Sequence, residues 1–191
     1  MVPEATATAG ATLYMFNHGL STAALFLVTG MMIARRGSAK ISDFGGVQKI
    51  APIMSGVLLV AGLSSLSLPG LAPFISEFMV LAGTFTRSIP AAAFATLGIV
   101  LAALYILIMY QRTMTGPLRE DNQGVHDLEA REITALAPAL VLIIGLGFFP
   151  QPVLNVINPA IDEVASHVGK GDPGPKSPTS IAPATAEGAD E

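Results

Sequence analysis

The chain has 191 residues, of which 51% are hydrophobic and only 13% are charged, and its mean hydropathy is +0.60. Soluble domains average about 25% charged residues, so this composition excludes a disordered chain and a coiled coil, and a formal charge of −4 gives no basic surface for nucleic acid. The absence of cysteine excludes disulfides, thiolate metal sites and cysteine-bound iron–sulfur clusters. We therefore expect an all-α, polytopic membrane protein.

Four long stretches of the sequence contain no Asp, Glu, Lys or Arg. They are residues 5–34, 50–76, 88–111 and 133–161, each 24 to 30 residues long. A helix needs about 20 apolar residues to cross the hydrocarbon core of a membrane, and charged clusters separate the four stretches. The sequence therefore predicts four transmembrane helices.

The first stretch carries a polar stripe in an otherwise apolar helix. Tyr14, His18 and Thr22 follow at intervals of four residues, which places them on one helix face. Histidine changes its charge near physiological pH and can pass a proton through its two ring nitrogens, so His18 is a candidate proton-transfer residue. The alternative is a buried neutral histidine that holds a neighbouring helix by one hydrogen bond. The sequence leaves both interpretations open.

The second stretch is interrupted at residues 68–73, which read Leu-Pro-Gly-Leu-Ala-Pro. Pro69 and Pro73 cannot donate backbone hydrogen bonds, and Gly70 is a poor helix former. A straight helix over residues 52–86 would be about 52 Å long, whereas the hydrocarbon core is about 30 Å thick. The piece after the break is too short for a separate span, so we predict one crossing made of two half-helices. Such discontinuous helices mark ion sites in transporters.

Glu77 follows this break and is the only acidic residue between Asp43 and Glu120. If Pro73 starts the second half-helix, Glu77 lies near the positive end of the helix dipole, which favours the carboxylate, while desolvation favours the acid. These opposed effects suit a carboxyl group that takes up and releases protons. A charge at the bilayer centre costs about 2.5–3.5 kcal/mol and indicates function by default. The alternative is a glutamate that caps a helix start at the membrane interface.

Lys and Arg are concentrated in two of the predicted loops. Residues 35–49 contain four of them and residues 112–131 contain three, whereas the loop between the second and third spans contains only Arg87. Short loops that are rich in Lys and Arg face the cytoplasm. We therefore expect a multi-pass protein of the cell (plasma) membrane with both termini on the outer face.

The C-terminal part divides into two predicted regions. Residues 155–168 have apolar residues at helical spacing, which predicts a short amphipathic helix at the membrane surface. Residues 169–191 are rich in Gly, Pro and small or acidic residues. They cannot bury enough apolar area to offset the entropy of ordering, so we expect a disordered tail. Residues 9–154 then form the membrane domain.

Four runs of residues together resemble a known family of membrane proteins. They are Tyr14-Met15-Phe16-Asn17-His18-Gly19-Leu20-Ser21-Thr22, Leu68-Pro69-Gly70, Phe74-Ile75-Ser76-Glu77-Phe78 and Leu146-Gly147-Phe148-Phe149-Pro150. This combination resembles the antiporter-type membrane subunits of respiratory NADH:quinone oxidoreductase (complex I). Among these subunits, the glutamate at position 77 makes the chain resemble subunit M, because the sister subunits typically carry lysine at this position.

The resemblance covers most of residues 9–154 and implies a fold and an activity. The family's subunits have fourteen helices in two inverted repeats, and this chain is similar only to the last four, so a C-terminal fragment is expected. The implied function is proton translocation coupled to quinone reduction by NADH, as one subunit of an enzyme complex. The resemblance makes Glu77 the terminal protonatable group of an exit half-channel and His18 a relay. Redox reactions belong to other subunits, so no cofactor or metal site is expected here.

Three alternatives stay open at this point. The first is a subunit of a monovalent cation/proton antiporter or of a membrane-bound hydrogenase from the same superfamily. The second is an inert structural or assembly fragment, since four helices cannot form a complete two-repeat path. The third is an unrelated small secondary transporter. The expected partners are neighbouring membrane subunits of the complex and the lipid bilayer, with no nucleic acid.

Overall fold

The computed structural model describes residues 3–168, and this part of the chain is helical. Its α-helices are α1 (Pro3–Arg36), α2 (Pro52–Ser65), α3 (Ala72–Arg87), α4 (Ile89–Met114), α5 (Ala130–Phe148) and α6 (Gln151–Val168). The all-helical class that the sequence predicted is confirmed. The predicted disordered tail, residues 169–191, lies outside the described residues.

Three of these helices are long and apolar enough to cross a membrane. They are residues Thr6–Arg36 of α1 together with the whole of α4 and α5. Helix α2 is apolar but has only 14 residues, or about 21 Å, which is less than the thickness of the hydrocarbon core. The length criterion therefore supports three of the four predicted spans. The second predicted span is divided between α2 and α3.

Helix α1 has 34 residues and packs against α2, α3, α5 and α6. As the residue numbers rise along α1, those of its partners fall, first on α3 and then on α2. The contacts are Ala7 with Gly83, Gly10 with Met79, Asn17 with Ala72, and Ser21 with Ser64. Helices α2 and α3 therefore both run antiparallel to α1. They pack one after the other along the length of α1, and the break between them lies beside the middle of α1.

Two glycines allow α1 and α3 to pack closely. A Cβ added at Gly10 would lie 2.7 Å from the Cβ of Met79, and one added at Gly83 would lie 2.5 Å from the Cβ of Ala7. Side chains do not approach each other this closely without displacement. Small residues therefore set the spacing of these two helices, as is common between transmembrane helices.

The two loops rich in Lys and Arg contact each other at the end of the bundle where α1 ends. Asp127 in the second of these loops accepts hydrogen bonds from the backbone N–H groups of Ile53 and Met54, at 2.9 and 2.8 Å. It thereby caps the N-terminus of α2 from a distant part of the chain. Gly46 has a φ of +67°, and a Cβ there would overlap the backbone of Leu118. Both loops therefore lie at the same end of the bundle.

Arg35 joins the end of α1 to α5 at this end of the bundle. Its guanidinium donates hydrogen bonds to the carbonyl oxygens of His126 and Asp127, at 2.9 and 3.2 Å, and forms an ion pair with Glu132. Glu132 also accepts a hydrogen bond from the N–H of Glu129 in the capping box that starts α5. Because the Arg35 side chain is only 6% exposed, this ion pair is largely removed from solvent.

Asp43 stabilises the loop that follows α1. The Ser38 hydroxyl donates a 2.6 Å hydrogen bond to its carboxylate, and this bond lowers the pKa of Asp43 below its ordinary value. A carboxylate with a lowered pKa stabilises the folded loop at pH values above the pKa of the unfolded chain. That contribution is lost as the pH falls through the lowered pKa of the folded state.

Helix α6 begins at Gln151, four residues before the amphipathic helix that we predicted over residues 155–168, and it ends at Val168. The longer helix is compatible with Pro152, because proline is tolerated in the first turn. Helix α6 lies beside the N-terminal part of α1, where Thr12 shares a pocket with Ile157 and Ile161. In the described structure this helix is therefore part of the bundle.

Candidate functional site

The helix is interrupted between α2 and α3 by a defined turn. Helix α2 ends in a Schellman motif, in which the N–H of Leu68 bonds to the carbonyl of Leu63 at 3.2 Å and the N–H of Ser67 bonds to that of Ser64 at 3.0 Å. Ser67 has a φ of +55°, the left-handed conformation that glycine usually supplies in this motif. Helix α3 then starts with Pro73 in its first turn.

Side chains and backbone from α1 and α5 hold this break in place. Asn17 of α1 donates hydrogen bonds to the Ala72 carbonyl at 2.7 Å and to the Ser76 hydroxyl at 3.2 Å. Gly147 of α5 lies against Gly70, and a Cβ at position 147 would overlap the Gly70 carbonyl oxygen. Three runs of sequence that are far apart along the chain therefore meet at one point.

Two buried polar atoms near the break have no hydrogen-bond partner in the described part of the chain. They are Asn17 Oδ1 and Ser67 Oγ, and the two residues are 0% and 7% exposed. A buried polar atom without a partner costs about 1–3 kcal/mol, and most such atoms in proteins are paired. The break therefore retains unused hydrogen-bonding capacity in an apolar environment.

A cavity of about 490 Å³ adjoins the break and brings the two predicted site residues together. Its polar lining side chains come from four helices: Tyr14, His18, Thr22, Ser65, Glu77 and Tyr105. A water molecule occupies about 30 Å³ in the liquid, so the cavity has room for several. Because hydroxyl, imidazole and carboxyl groups face the same space, the cavity is chemically suited to proton transfer.

Glu77 is half-buried and lies on α3, which starts at Ala72. Tyr14 of α1 lines the same cavity as Glu77. The sequence analysis expected Glu77 to lie near the positive end of the helix dipole. Because α3 starts five residues earlier and the dipole effect falls off within the first turn, Glu77 lies beyond the part of α3 where that effect is strongest.

His18 lines the same cavity and is exposed. Its ring stacks on that of Tyr14, with a distance of 5.4 Å between ring centroids and an angle of 26° between the planes. Its Nε2 lies 3.3 Å from the Thr22 hydroxyl. The members of the polar stripe therefore contact one another. Both contacts are within α1, so the described structure gives no hydrogen bond from His18 to a neighbouring helix.

The sequence analysis missed Tyr105 as a member of the site. Tyr105 lies on α4 and lines the cavity. The sequence did offer a signal for it, because Tyr105 and Tyr110 are the two tyrosines in the third apolar stretch and so are candidate polar residues there. The rotation of a helix that is apolar on nearly every side cannot be read from its sequence. Only the structure shows that Tyr105 reaches the cavity, while Tyr110 bonds to Ser55 elsewhere.

Known proteins similar to this chain point to one family. The family described as "NADH:quinone oxidoreductase/Mrp antiporter, TM" matches residues 1–113. NADH-quinone oxidoreductase subunit M of Mycobacterium tuberculosis is 55% identical over 166 residues, which are 87% of this chain and 30% of that protein. NADH-quinone oxidoreductase subunit M of Rickettsia prowazekii is 35% identical over 156 residues, which are 81% of this chain and 32% of that protein.

The fold is also similar to a chain in a solved structure, that of respiratory complex I from Thermus thermophilus with bound NADH. The TM-score is 0.80 at 27% sequence identity, and the match covers 86% of this chain and 34% of that chain. This chain therefore spans about a third of the length of these relatives. Since the family match extends over more than half of its residues, the chain belongs to the NADH:quinone oxidoreductase/Mrp antiporter transmembrane family.

Proposed function

We propose that this chain is part of a proton-translocating membrane subunit of an NADH–quinone oxidoreductase, in which Glu77 and His18 bind and release protons. The observation that carries the proposal is the shared cavity beside the helix break, which both side chains line. The relatives named NADH-quinone oxidoreductase subunit M support the choice of complex. The residues of the site and the activity of the relatives thus indicate the same function.

Helices α2 and α3 form the two halves of one membrane crossing in this proposal. The support is their order along α1, since both run antiparallel to it and they follow one another along its length. Residues 35–49 and 112–131 hold seven of the ten Lys and Arg residues, so the loops at that end face the cytoplasm. The N-terminus then lies at the outer face of the cell membrane.

The exposed surface of α4 is proposed to contact lipid and neighbouring subunits of the complex. This surface carries large apolar side chains that are more than half exposed: Phe94, Leu97, Val100, Leu101 and Leu104. Apolar surfaces of this extent are covered by hydrocarbon or by other proteins. Partner subunits are required for the function, because this chain alone supplies no source of energy for moving protons.

The proton chemistry of the proposal uses only side chains of this chain. Glu77 alternates between carboxylic acid and carboxylate, and His18 alternates between imidazole and imidazolium. The electron transfer from NADH to quinone takes place in other subunits. The enzymatic role proposed here is therefore that of a translocase subunit, which couples its proton transfers to that reaction.

The first test replaces the carboxyl group in the assembled complex. In inverted membrane vesicles energised with NADH, we expect Glu77→Gln to lower proton uptake about tenfold or more, because acid–base groups contribute factors of this size or larger. Glutamine keeps the shape and the polarity of the side chain but cannot exchange a proton. The measurement is the rate of proton uptake for each NADH that is oxidised.

The matched control is Glu163→Gln on α6, since Glu163 is exposed and remote from the cavity lining. We expect this variant to pump protons at the normal rate. Proton uptake that is unchanged in Glu77→Gln would refute the proposed function.

The family description also includes Mrp antiporters, so a cation/proton antiporter is the second candidate function. The two candidates differ in their driving reaction. A subunit of NADH–quinone oxidoreductase takes up protons when NADH is oxidised, with no need for a gradient of another cation. An antiporter moves protons when a sodium gradient is imposed without NADH. Vesicles that respond only to the sodium gradient would favour the second candidate.

A further inference from the structure

A second pocket lies between α1 and α4, near the end of the bundle where both helices end. It extends along α1 from Leu25 to Ile33, faces Met109 on α4, and is closed at the end by Ala39 and Ile41 of the following loop. Its volume is about 250 Å³. Helix α1 packs closely against α2, α3, α5 and α6, so the pocket lies on the side of α1 that these helices leave open.

The lining of this pocket is suited to hydrocarbon. Its two hydroxyl groups, on Thr29 and Thr113, donate to carbonyl oxygens of their own helices at 2.7 and 2.9 Å. Large apolar side chains at its mouth are exposed: Phe26, Ile33 and Ile41. Pockets for drug-sized molecules have about 300–1,000 Å³, so this smaller pocket fits a slender chain better than a ring system.

The position of the pocket along α1 matches the outer part of a lipid acyl chain. From Leu25 to Ile33 an α-helix rises about 12 Å, and α1 ends one turn later at Arg36. The pocket therefore occupies the last apolar part of the predicted span and opens towards the charged loops. A phospholipid has the same order, with hydrocarbon on the inside and phosphate at the interface.

Three cations lie at the polar end of the pocket. Arg36 donates a hydrogen bond from Nε to the carbonyl oxygen of Asp43 at 3.3 Å, and the residue after Asp43 lines the pocket. Lys40 is the loop residue between the two that close the pocket, and Arg112 directly precedes a lining residue on α4. Lys40 and Arg112 are exposed. Phosphate oxygens at this end would therefore meet positive charge.

Two carboxylates lie near these cations and leave a net positive charge. Asp43 accepts hydrogen bonds from two serine hydroxyls at 2.6 and 3.2 Å, and Asp121 pairs with Arg36 at 3.4 Å. Within residues 3–168, neither Lys40 nor Arg112 forms an ion pair. The three cations thus exceed the two carboxylates by one charge, and two of the cations are without a counterion.

We propose that this pocket binds an anionic phospholipid, with part of one acyl chain between α1 and α4 and its phosphate at Arg36, Lys40 and Arg112. Basic pockets between transmembrane helices bind anionic head groups in this way. The charge at the polar end selects this occupant, because an apolar helix of another subunit would leave the cations without a counterion. The site contains neither Glu77 nor His18, so it is independent of the proposed function.

The test labels the site in the assembled complex. The probe is phosphatidylglycerol with a photoreactive group in its acyl chain, added as a trace to phosphatidylcholine vesicles that hold the complex. Mass spectrometry then compares labelling of residues 25–44 with labelling of the exposed α4 residues 94–104. We expect the first segment to be labelled more strongly by this probe than by photoreactive phosphatidylcholine.

The charge variant combines Lys40→Gln with Arg112→Gln. We expect labelling of residues 25–44 by phosphatidylglycerol to fall about tenfold or more, because each Lys or Arg near an anionic lipid contributes about fivefold. The matched control combines Lys49→Gln with Arg131→Gln, which removes two exposed cations at the same end of the bundle that are not adjacent to the lining. Labelling in this control should be unchanged.

The second variant, Ala39→Phe, fills the pocket and keeps its charges. We expect it to abolish the excess labelling, whereas Ala34→Phe, on an exposed part of α1 outside the lining, should preserve it. Equal labelling of residues 25–44 by the two photoreactive lipids would overturn the proposal. Absence of labelling there would also overturn it, since a helix of another subunit would then cover the pocket. Neither result affects the function proposed for Glu77, which Glu77→Gln tests separately.

Discussion

Adjacent residues on α1 have different roles because they face different sides of the helix. Successive residues of an α-helix are rotated by about 100°, so His18 faces the cavity while Asn17 faces the break. Asn17 is completely buried, and its amide crosses from α1 to the first turn of α3. Its side chain therefore ties the long helix to the interruption.

We expect Asn17→Ala to destabilise this contact by about 1–3 kcal/mol, because it leaves buried polar partners without their donor. The measurement is the melting temperature of the purified complex, or of its membrane arm, which should fall. The control is Asn155→Ala on the exposed surface of α6, where Asn155 bonds to Gln151, with an expected change within about 0.5 kcal/mol. Equal melting temperatures for the two variants would contradict the role given to Asn17.

At the scale of elements, the interrupted helix depends on close packing by α5. Gly147 brings the backbone of α5 against Gly70 and Leu71, at the point where α2 has ended and α3 has not begun. A turn of this kind cannot pack against a bulky helix surface, since its backbone would be displaced. The glycine therefore belongs to the architecture of the break, although it lies far away in the sequence.

We expect Gly147→Ala to destabilise the packing of α5 on the break by about 1–3 kcal/mol, the usual cost of overpacking. Gly145 is the matched control because it lies on the same helix and a Cβ there meets no atom within 4 Å. Gly145→Ala should leave the stability unchanged or raise it by up to about 1 kcal/mol, since alanine is the better helix former. The melting temperature of the purified complex gives the readout, and equal values in the two variants would argue against this packing.

At the scale of the whole molecule, one end of the bundle is held by polar contacts between loops and helix ends. Asp127 caps α2, while Arg35 connects α1 to the loop before α5 and to Glu132. The opposite end depends instead on close packing of small residues between α1 and α3. Polar contacts at the loop end fix these helices relative to each other, and two of them, α1 and α2, line the cavity.

We expect Arg35→Gln to destabilise the bundle by about 1–3 kcal/mol, because it removes a charged hydrogen-bond donor from the carboxylate of Glu132, whose side chain is 17% exposed. Arg36→Gln is the control, since Arg36 pairs with Asp121, whose side chain is 67% exposed, and exposed pairs contribute about 0–1 kcal/mol. The amount of assembled complex in membranes and its melting temperature report the difference. A smaller loss in Arg35→Gln than in Arg36→Gln would show that the ion pair with Glu132 is not structural.

The sequence alone determined the properties that depend on local patterns. Long runs without charge predicted the apolar helices, Pro69, Gly70 and Pro73 indicated where the helix is interrupted, and the isolated Glu77 and the stripe around His18 were singled out as candidates. These features are readable because hydrophobic period, proline and intramembrane charge act over a few residues.

Only the tertiary structure decided which side chains meet. It placed Tyr105 in the cavity with Tyr14 and brought Asp127 to the start of α2. It also extended α6 back to Gln151 and packed it beside α1. The rotation and depth of a nearly uniform apolar helix depend on contacts with its neighbours, and those contacts join residues that are far apart along the chain.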